Sequence, residues 1–230
     1  MKFSIIIPTL NEAENIERVL HRLQNHATSN LREIIVVDGG SSDETCALAK
    51  KMEVKVLQSP QKGRAAQMNF GATHATGDVL YFVHADTLPP ESYMQDLETA
   101  LEEKYPMGCF RFRFDSDKKI LRFNSYMTRF DRIWVRGGDQ SLFITRTLFD
   151  ALGGYRNDFK IMEEYDLISR ARQQARFKII PKDVLVSDRK YENNSFLRVQ
   201  FANATVFMMY RFGASQDAMC KMYRRLLDYR

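Results

Sequence analysis

A histidine and an aspartate follow a wholly apolar run in this 230-residue chain. The run 79–83 leads directly into His84, Ala85 and Asp86, so both polar side chains can point from the end of a strand toward one bound ion. Mg²⁺ or Mn²⁺, held by a carboxylate and by phosphate oxygens of a ligand, is the species that this arrangement favours. Asp86 is the stronger metal candidate, because a hydrogen-bonded histidine in a turn is the better interpretation of His84.

Three carboxylates stand close together at Glu163, Glu164 and Asp166, at the start of a predicted helix over 161–174. The helix dipole favours negative charge at this position for structural reasons alone. Mutual repulsion can also raise the pKa of one of these carboxyls toward a value suited to a general base. Charge alone does not select which of the three would take that role.

A second apolar run, 33–37, ends at Asp38 and two glycines. The Asp38 carboxylate can hydrogen-bond the edge of a nucleobase, and Gly39 and Gly40 let a ligand approach the backbone closely. A plain strand-to-helix turn, capped by Ser41 or Ser42, explains the same residues equally well.

Cations that can meet a phosphate group occur in two places. Lys62 and Arg64 lie in a glycine-containing loop before a predicted helix, and Arg189 lies far along the chain. A solvent-facing role is an equally good interpretation of each.

The elements that must position these side chains follow from the hydrophobic pattern. Apolar runs at 3–7, 33–37, 54–57 and 79–83 alternate with helical patterns, which predicts an α/β fold with a mostly parallel sheet and helices on both faces. Asn11 is predicted to cap the first helix. Polar loops after Pro8, Val37 and Val83 then gather at the carboxyl edge of the sheet, where ligands of such folds collect. The alternating segment 108–114 and the run 141–145 predict a mixed sheet in the C-terminal half.

Composition narrows the class of protein further. The 34 basic and 29 acidic residues give a net charge of +5, which favours an anionic ligand or a membrane surface, although a solvated basic face is the simpler interpretation. No nucleic-acid-binding pattern accompanies the charge, so no nucleic-acid partner is expected. The three scattered cysteines favour a reducing cytoplasm.

No run approaches the ~20 apolar residues of a membrane-spanning helix. We therefore expect a cytoplasmic protein, with any membrane contact peripheral to the inner face. The dense apolar run 201–212 predicts a core or docking helix, with contact to a membrane surface or to a second copy in a homo-oligomer as the alternative.

Four segments, IIIPTLNEAENI, VVDGGSSDET, KGRAAQMNFGATHATGDVLYFVHADT and GGYRNDFKIMEEYDLISRAR, occur in this order between about residues 2 and 175. Together they resemble the family 2 inverting glycosyltransferases of the GT-A fold. The resemblance implies a single Rossmann-like GT-A domain over 1–230, with a nucleotide-binding half (about 1–105) and an acceptor-binding half (about 106–230). It also implies a nucleotide-sugar donor, with a UDP-sugar favoured, and Mg²⁺ or Mn²⁺ as cofactor. The acceptor stays unidentified.

The resemblance assigns expected roles to individual residues. Arg64 would face the donor, and Gly39, His84 and Ala85 would line its binding site. The nucleoside pocket would be formed by Pro8, Thr9, Asn11, Glu12 and Asp38.

This chain departs from the family pattern in three places. The first position of the Asp-x-Asp motif is His84, so only Asp86 carries over as a metal carboxylate. The Glu-Asp pair, whose Asp is the catalytic base, falls on Glu163 and Glu164, which makes Glu164 the positional match and Asp166 the fallback. Gly39 replaces an aspartate and removes one acidic contact to the nucleotide.

The tetrapeptide HADT and the chain length are similar to a bacterial subgroup of arsenosugar-biosynthesis-type glycosyltransferases. Two other functions stay open. A polyprenyl-phosphate sugar synthase would use the basic, apolar C-terminal third against a lipid phosphate. A non-catalytic module that binds nucleotide-sugars would explain the departures at His84 and Glu164.

Overall fold

The apolar runs of the first hundred residues form four parallel strands of one sheet. The computed structural model describes residues 1–136 and 138–227. Strands β1 and β4 pair in parallel, as do β2 with β1 and β3 with β2. Every residue of β1 and β4 is buried, which is expected of strands covered on both faces. The strand bounds are β1 Phe3–Thr9, β2 Leu31–Asp38, β3 Lys55–Gln58 and β4 Val79–Phe82.

The sheet becomes mixed in the C-terminal half, as predicted. Within the described residues its eight strands have the order β3-β2-β1-β4-β7-β6-β8-β5. Strand β7 is antiparallel to both of its neighbours, β4 and β6, and β6 is parallel to β8. The additional strands are β5 Thr87–Leu88, β6 Met107–Phe114, β7 Leu142–Thr145 and β8 Phe177–Val186. Sequence reasoning missed β8, because its half-exposed residues and internal Pro181 weaken the alternation of a strand.

Helices cover both faces of this sheet. Cores of buried residues lie on its two sides, one formed with α1, α2 and α4 and the other with α3, α6 and α7. None of the described helices combines the length and apolarity needed to cross a membrane. The helix bounds are α1 Ile16–Asn25, α2 Thr45–Lys51, α3 Arg64–His74, α4 Tyr93–Glu102, α5 Lys119–Met127, α6 Arg146–Ala151, α7 Glu163–Ala171, α8 Phe196–Arg211 and α9 Gln216–Leu226.

Helix α3 packs unusually close to the sheet at Gly71. A Cβ at this position would lie 2.5 Å from Ile6 Cγ2 and 2.9 Å from Val37 Cγ2. Because contacts that short do not occur between carbon atoms, only glycine permits this separation. The approach fixes the start of α3, and with it Arg64, at the carboxyl edge of β1 and β2.

The predicted cap of the first helix is wrong. Helix α1 begins at Ile16, and its N-cap is Asn15. Asn11 has a φ of 55° and accepts a hydrogen bond from Ser42 N at 2.8 Å. Four residues separate Asn11 from α1, and its side chain joins the loops after β1 and β2 instead of capping a helix.

The apolar run 201–212 belongs to α8, which is a core helix on one face only. Val199, Ala202 and Val206 are buried. The opposite face carries exposed apolar side chains, namely Leu197, Phe201, Met208 and, just past the helix, Phe212.

Candidate active site

The loops after β1, β2 and β4 meet at one edge of the sheet, as the parallel order requires. Gln67 on α3 joins the first two strands there, because its Nε2 donates to Thr9 O and to Val37 O, each at 2.8 Å. Gln67 is buried, and sequence reasoning did not single it out. A Cβ on Gly39 would lie 3.0 Å from the same nitrogen, which is why the close approach at this edge favours glycine.

Asp38 is fully buried, and its carboxylate stabilises the turn that follows β2. Its carboxylate accepts hydrogen bonds from Gly40 N at 2.9 Å and from Ser41 N at 3.0 Å. Asp38 therefore stabilises the turn after β2, while α2 begins at Thr45 with Glu44 as its N-cap, so neither Ser41 nor Ser42 is the predicted cap of that helix. Pro8 and Thr9 are also buried beside it, and Thr9 Oγ1 donates to Val37 O at 3.3 Å.

Arg189, in the last quarter of the chain, contacts residues near its beginning and its middle. It lies in the 3₁₀ turn Arg189–Tyr191 after β8. Its Nη1 donates to Glu12 Oε2 at 3.1 Å, and its Nη2 lies 3.3 Å from Asp86 Oδ2. Arg189, offered by the sequence as a cation that could meet a phosphate, thus contacts two carboxylates.

Both ring nitrogens of His84 face carboxylates other than Asp86, as the interpretation of this residue as a paired histidine in a turn predicts. Its Nδ1 lies 3.5 Å from Asp139 Oδ1, and its Nε2 lies 3.3 Å from Glu164 Oε1. Burial and Arg64 lower the pKa of His84, but Asp139 and Glu164 outweigh them and raise it to about 9. The ring is therefore a cation at neutral pH, because two carboxylates flank it.

Asp139 is a site residue that sequence reasoning missed. Burial opposes its ionisation, yet the contact with His84 holds the pKa of Asp139 well below its usual range. The signal was available in the topology: β7 is antiparallel to β4, so the residues just before β7 lie where β4 ends. Asp139 lies three positions before that strand, in the 3₁₀ turn Gly138–Gln140.

Glu163 and Glu164 are both buried, with relative exposures of 2% and 5%. Glu163 Oε1 lies 3.3 Å from Arg64 Nη1. Burial, together with the charge of Glu164, raises the pKa of Glu163 to about 7, as the predicted repulsion requires. Burial also acts to raise the pKa of Glu164, but contact with His84 lowers it below its ordinary value.

Asp166 is separated in role from the other two carboxylates. Its Oδ2 lies 2.7 Å from Arg170 Nη2, one helical turn along α7. A carboxylate held by an arginine on its own helix is explained by helix stability. The structure therefore brings Glu163 and Glu164 to the His84 and Arg64 side chains, and leaves Asp166 in an ordinary ion pair.

One atom of Glu164 remains unsatisfied. Oε1 is buried, and its 3.3 Å contact with His84 is close enough for an ion pair but not aligned as a hydrogen bond. The buried hydroxyl of Tyr155 likewise has no hydrogen-bond partner among the described residues. Because buried polar atoms of native proteins are normally paired, both atoms indicate a position for a ligand group.

The surroundings of Asp86 fit a divalent cation. Burial and the charge of Asp139 raise the pKa of Asp86, so a further cation nearby would stabilise its ionised form. The described residues hold no cluster of three or more His, Cys, Asp or Glu side chains arranged around one point. Mg²⁺, however, is commonly held by one or two carboxylates together with substrate phosphates. The Asp86 side chain, 23% exposed, can serve in that way, whereas Ala85 is buried in the core.

The chain belongs to glycosyl transferase family 2. The model of that family, described as glycosyl transferase family 2, matches residues 4–158. This confirms the resemblance drawn from the four sequence segments, and the protein is a glycosyltransferase.

A dolichol-phosphate mannosyltransferase of Pyrococcus furiosus is 36% identical to this chain over 107 residues. The aligned region covers 44% of this chain and 30% of that protein, so this chain matches only a minor part of the relative's length.

Solved structures confirm the GT-A fold. S. aureus TarS 1–349 in complex with UDP-GlcNAc matches with a TM-score of 0.69 at 16% identity, over 98% of this chain and 71% of that chain. The mannosyltransferase PcManGT from Pyrobaculum calidifontis, in complex with GDP-Man and Mn²⁺, matches with a TM-score of 0.67 at 18% identity, over 97% and 68% of the two chains.

Proposed function

We propose that this protein transfers a sugar from a UDP-sugar to an acceptor hydroxyl with inversion, using Glu164 as the general base. The observation that carries the proposal is the Glu164 carboxylate, which is buried and which contact with His84 keeps ionised. An ionised carboxylate within reach of the acceptor hydroxyl can take its proton.

In the proposed reaction the acceptor oxygen attacks the anomeric carbon while Glu164 takes its proton. The bond from that carbon to the diphosphate oxygen breaks, and the nucleoside diphosphate leaves with the electron pair. Attack from the face opposite the leaving group inverts the anomeric centre. The lowered pKa keeps the Glu164 carboxylate ionised at neutral pH, so it can accept a proton, but it also makes Glu164 a weaker base than a carboxylate with a pKa near neutrality.

The donor would occupy the carboxyl edge of β1, β2 and β4. Arg64 and the His84 imidazolium would lie beside the diphosphate, and the Ala85 backbone would contribute contacts between the strand end and Asp86. Glu163 would hold Arg64 in place through their 3.3 Å contact. The nucleoside would be bound by the loops that carry Pro8, Thr9, Asn11, Glu12, Asp38 and Gly39.

Asp86 would hold the Mg²⁺ or Mn²⁺ ion, with the diphosphate as its other ligand. The cation supplies charge neutralisation for the leaving group. Arg189, 3.3 Å from Asp86, already provides positive charge at this carboxylate and would have to yield part of that contact. The Mn²⁺ in the mannosyltransferase complex supports a divalent cation in this fold.

A thermal-shift screen against UDP, GDP, dTDP, CMP and several UDP-sugars tests the donor site. Each nucleotide is measured with Mn²⁺, Mg²⁺ or EDTA, since a ligand that binds the folded state raises its apparent stability. We expect stabilisation by UDP that requires the cation. Asp86→Asn should lose the cation-dependent part, while Asp166→Asn, which lies outside the proposed donor site, should keep it. No shift with any nucleotide would overturn the proposed donor site.

One alternative has a specific observation behind it. The partial similarity to a dolichol-phosphate mannosyltransferase supports a polyprenyl-phosphate sugar synthase. Transfer to a polyprenyl phosphate, with no transfer to a panel of saccharide hydroxyls, would establish that function. Donor binding without transfer to any acceptor would instead favour a non-catalytic module.

We further propose that the whole chain, 1–230, is one GT-A domain, with about 1–105 as the nucleotide-binding half and about 106–230 as the acceptor-binding half. Continuity of the sheet from β1 through β4 to β7 and β6 supports a single domain.

A further inference from the structure

The segment 118–134 combines positive charge with exposed aromatic side chains. Its sequence contains five Lys or Arg residues and one acidic residue, Asp131. Asp131 forms an ion pair with Arg172, which follows the last residue of α7, so its negative charge is already compensated. The exposed apolar side chains of the segment are Ile120, Phe123, Tyr126, Phe130 and Trp134.

Helix α5, within this segment, is held to the sheet by its inner face. Leu121 is buried, Ser125 Oγ accepts from Phe114 N at 3.4 Å, and Thr128 Oγ1 accepts from Phe112 N at 3.4 Å. These contacts fix which side of α5 faces solvent. Phe123, on the outer side, is 64% exposed although the helix is well anchored.

Some of the outward side chains pack against one another. The rings of Tyr126 and Phe130 are 5.9 Å apart, and the Arg129 guanidinium lies 3.9 Å above the Tyr126 ring. Trp134 follows in the 3₁₀ turn Ile133–Val135 and is 51% exposed. An apolar surface of this kind, exposed to water, marks a contact site.

We propose that the segment 118–134 docks the protein on the surface of a membrane that contains anionic lipids. Aromatic side chains insert at the level of lipid headgroups, and nearby cations attract acidic lipids. The cations that would do so are Lys119, Arg122, Arg129 and Arg132, all exposed.

Charge complementarity selects a membrane over a second copy of the chain. In a two-fold symmetric dimer the same patch meets itself, so the cations of one copy would oppose those of the other. Like charges placed face to face disfavour that contact. An anionic lipid surface supplies the opposite charge along the whole segment.

The docking surface is connected to the proposed active site. Asp139 follows Trp134 by five positions in the chain, a reach of about 18 Å at most. Arg136, which is buried just past the segment, donates to the carbonyls of Thr128 and Phe130 and so holds the turn that follows α5. Docking needs no sugar transfer, so this inference goes beyond the proposed function and can fail independently of it.

Trp134 is the only tryptophan of the chain, which makes its fluorescence a direct probe of docking. Vesicles of phosphatidylcholine with about 30% phosphatidylglycerol are compared with phosphatidylcholine alone. We expect a blue shift of Trp134 emission and co-sedimentation with the acidic vesicles, both lost at about 0.5 M salt. Absence of binding, or equal binding to neutral vesicles, would overturn the proposal.

Two variants and a matched control localise the contact. The first is the triple variant Lys119→Gln/Arg122→Gln/Arg132→Gln. It should bind acidic vesicles about 100-fold more weakly, because each lost cation weakens the binding about five-fold. Phe123→Ser/Phe130→Ser should weaken it as well, while Leu197→Ser/Phe201→Ser, on the exposed face of α8, should not. A loss of binding confined to the α8 variant, or a dimer in gel filtration that depends on Phe123, would overturn the assignment. The thermal shift with UDP, measured on the same variants, reports separately on the donor site.

Discussion

Three side chains at the start of α7 carry the same chemical group, a carboxylate, in three different environments. Glu163 is buried against Arg64, Glu164 is buried against His84, and Asp166 pairs with Arg170 of the same helix. The neighbours separate their properties: the pKa of Glu163 is raised and that of Glu164 is lowered. At the scale of the residue, function is therefore tested by removing one carboxylate at a time.

Glu164→Gln should lower the rate of sugar transfer by about 10²–10⁴-fold, because the amide cannot accept the proton of the acceptor. Binding of UDP, measured by thermal shift, should be unchanged. Asp166→Asn is the matched control and should retain transfer, with about 1–3 kcal/mol of stability lost because its ion pair with Arg170 is mostly buried. Full activity of Glu164→Gln with an inactive Asp166→Asn would move the base to Asp166.

Glu163→Gln should alter how stability depends on pH. The pKa of Glu163 is about 7 in the folded state, above its ordinary value of 4.5, because burial and the charge of Glu164 disfavour ionisation. The folded state therefore holds this proton more tightly, and the free energy of unfolding falls as pH rises from about 4.5 through about 7. The glutamine variant lacks this fall.

Urea unfolding of both proteins at about pH 5 and about pH 8 measures the difference. Relative to the wild type, the variant should gain on the order of 1–3 kcal/mol between the two values. Removing the charge of Glu163 also ends its repulsion of Glu164, which stabilises the variant in the same direction. Loss of the contact with the half-exposed Arg64 destabilises the variant, but this effect is smaller because solvent screens it. A difference that does not change with pH would contradict the raised pKa.

At the scale of the element, α3 and β7 decide where the site residues lie. Helix α3 brings Gln67 and Arg64 to the ends of β1 and β2 because Gly71 permits close packing. Strand β7, antiparallel to β4, brings Asp139 to His84. Packing of α3 and pairing of β7 therefore decide where Arg64, Gln67 and Asp139 lie, whatever the chemistry of these side chains.

Gly71→Ala should cost about 1–3 kcal/mol of stability, because its Cβ would overlap Ile6 and Val37 and force α3 away from the sheet. This loss is expected even though alanine is favoured over glycine by about 1 kcal/mol in a helix interior. Urea denaturation measures it. Thr73→Ala, on the exposed face of α3, is the control and should stay within about 0.5 kcal/mol of the wild type. Equal stability of the two variants would show that the helix moves freely.

At the scale of the whole molecule, the two proposed halves share one sheet. Strand β4 of the first half pairs with β7 of the second, and both lie inside the strand order. Tyr81 of β4 also packs its ring against Phe110 of β6, with centroids 6.3 Å apart. Separation of the halves would therefore expose a buried strand edge and part of the core.

The fragment 1–105 should not fold or bind UDP, because the wholly apolar β4 would become an unprotected edge strand. Far-UV circular dichroism and the thermal shift with UDP measure both properties. The fragment 1–227 is the control and should behave as the full chain does. A folded fragment 1–105 that binds UDP would mean that the halves are separate domains.

The sequence by itself determined the parallel half of the sheet, the family and the edge at which the loops carrying Asp38 and Asp86 meet. These follow from local information: apolar runs, glycine turns and polar residues at strand ends. Tertiary structure alone decided the partners of those residues. The contacts of His84 with Asp139 and Glu164 join positions 84, 139 and 164, and the contacts of Arg189 join positions 12, 86 and 189.

Strand β8 and the docking surface 118–134 could not be predicted from the sequence alone either. The residues of β8 are half exposed, so their pattern is weak until β6 provides a partner. The aromatic side chains of 118–134 look like core residues in sequence, since an apolar residue carries no local sign of which face of a helix will be covered. Packing of Leu121 against the core decided that Phe123 faces water. The physical reason is that burial and pKa depend on neighbours distant in the chain, whereas strand and turn formation depend mainly on nearby residues.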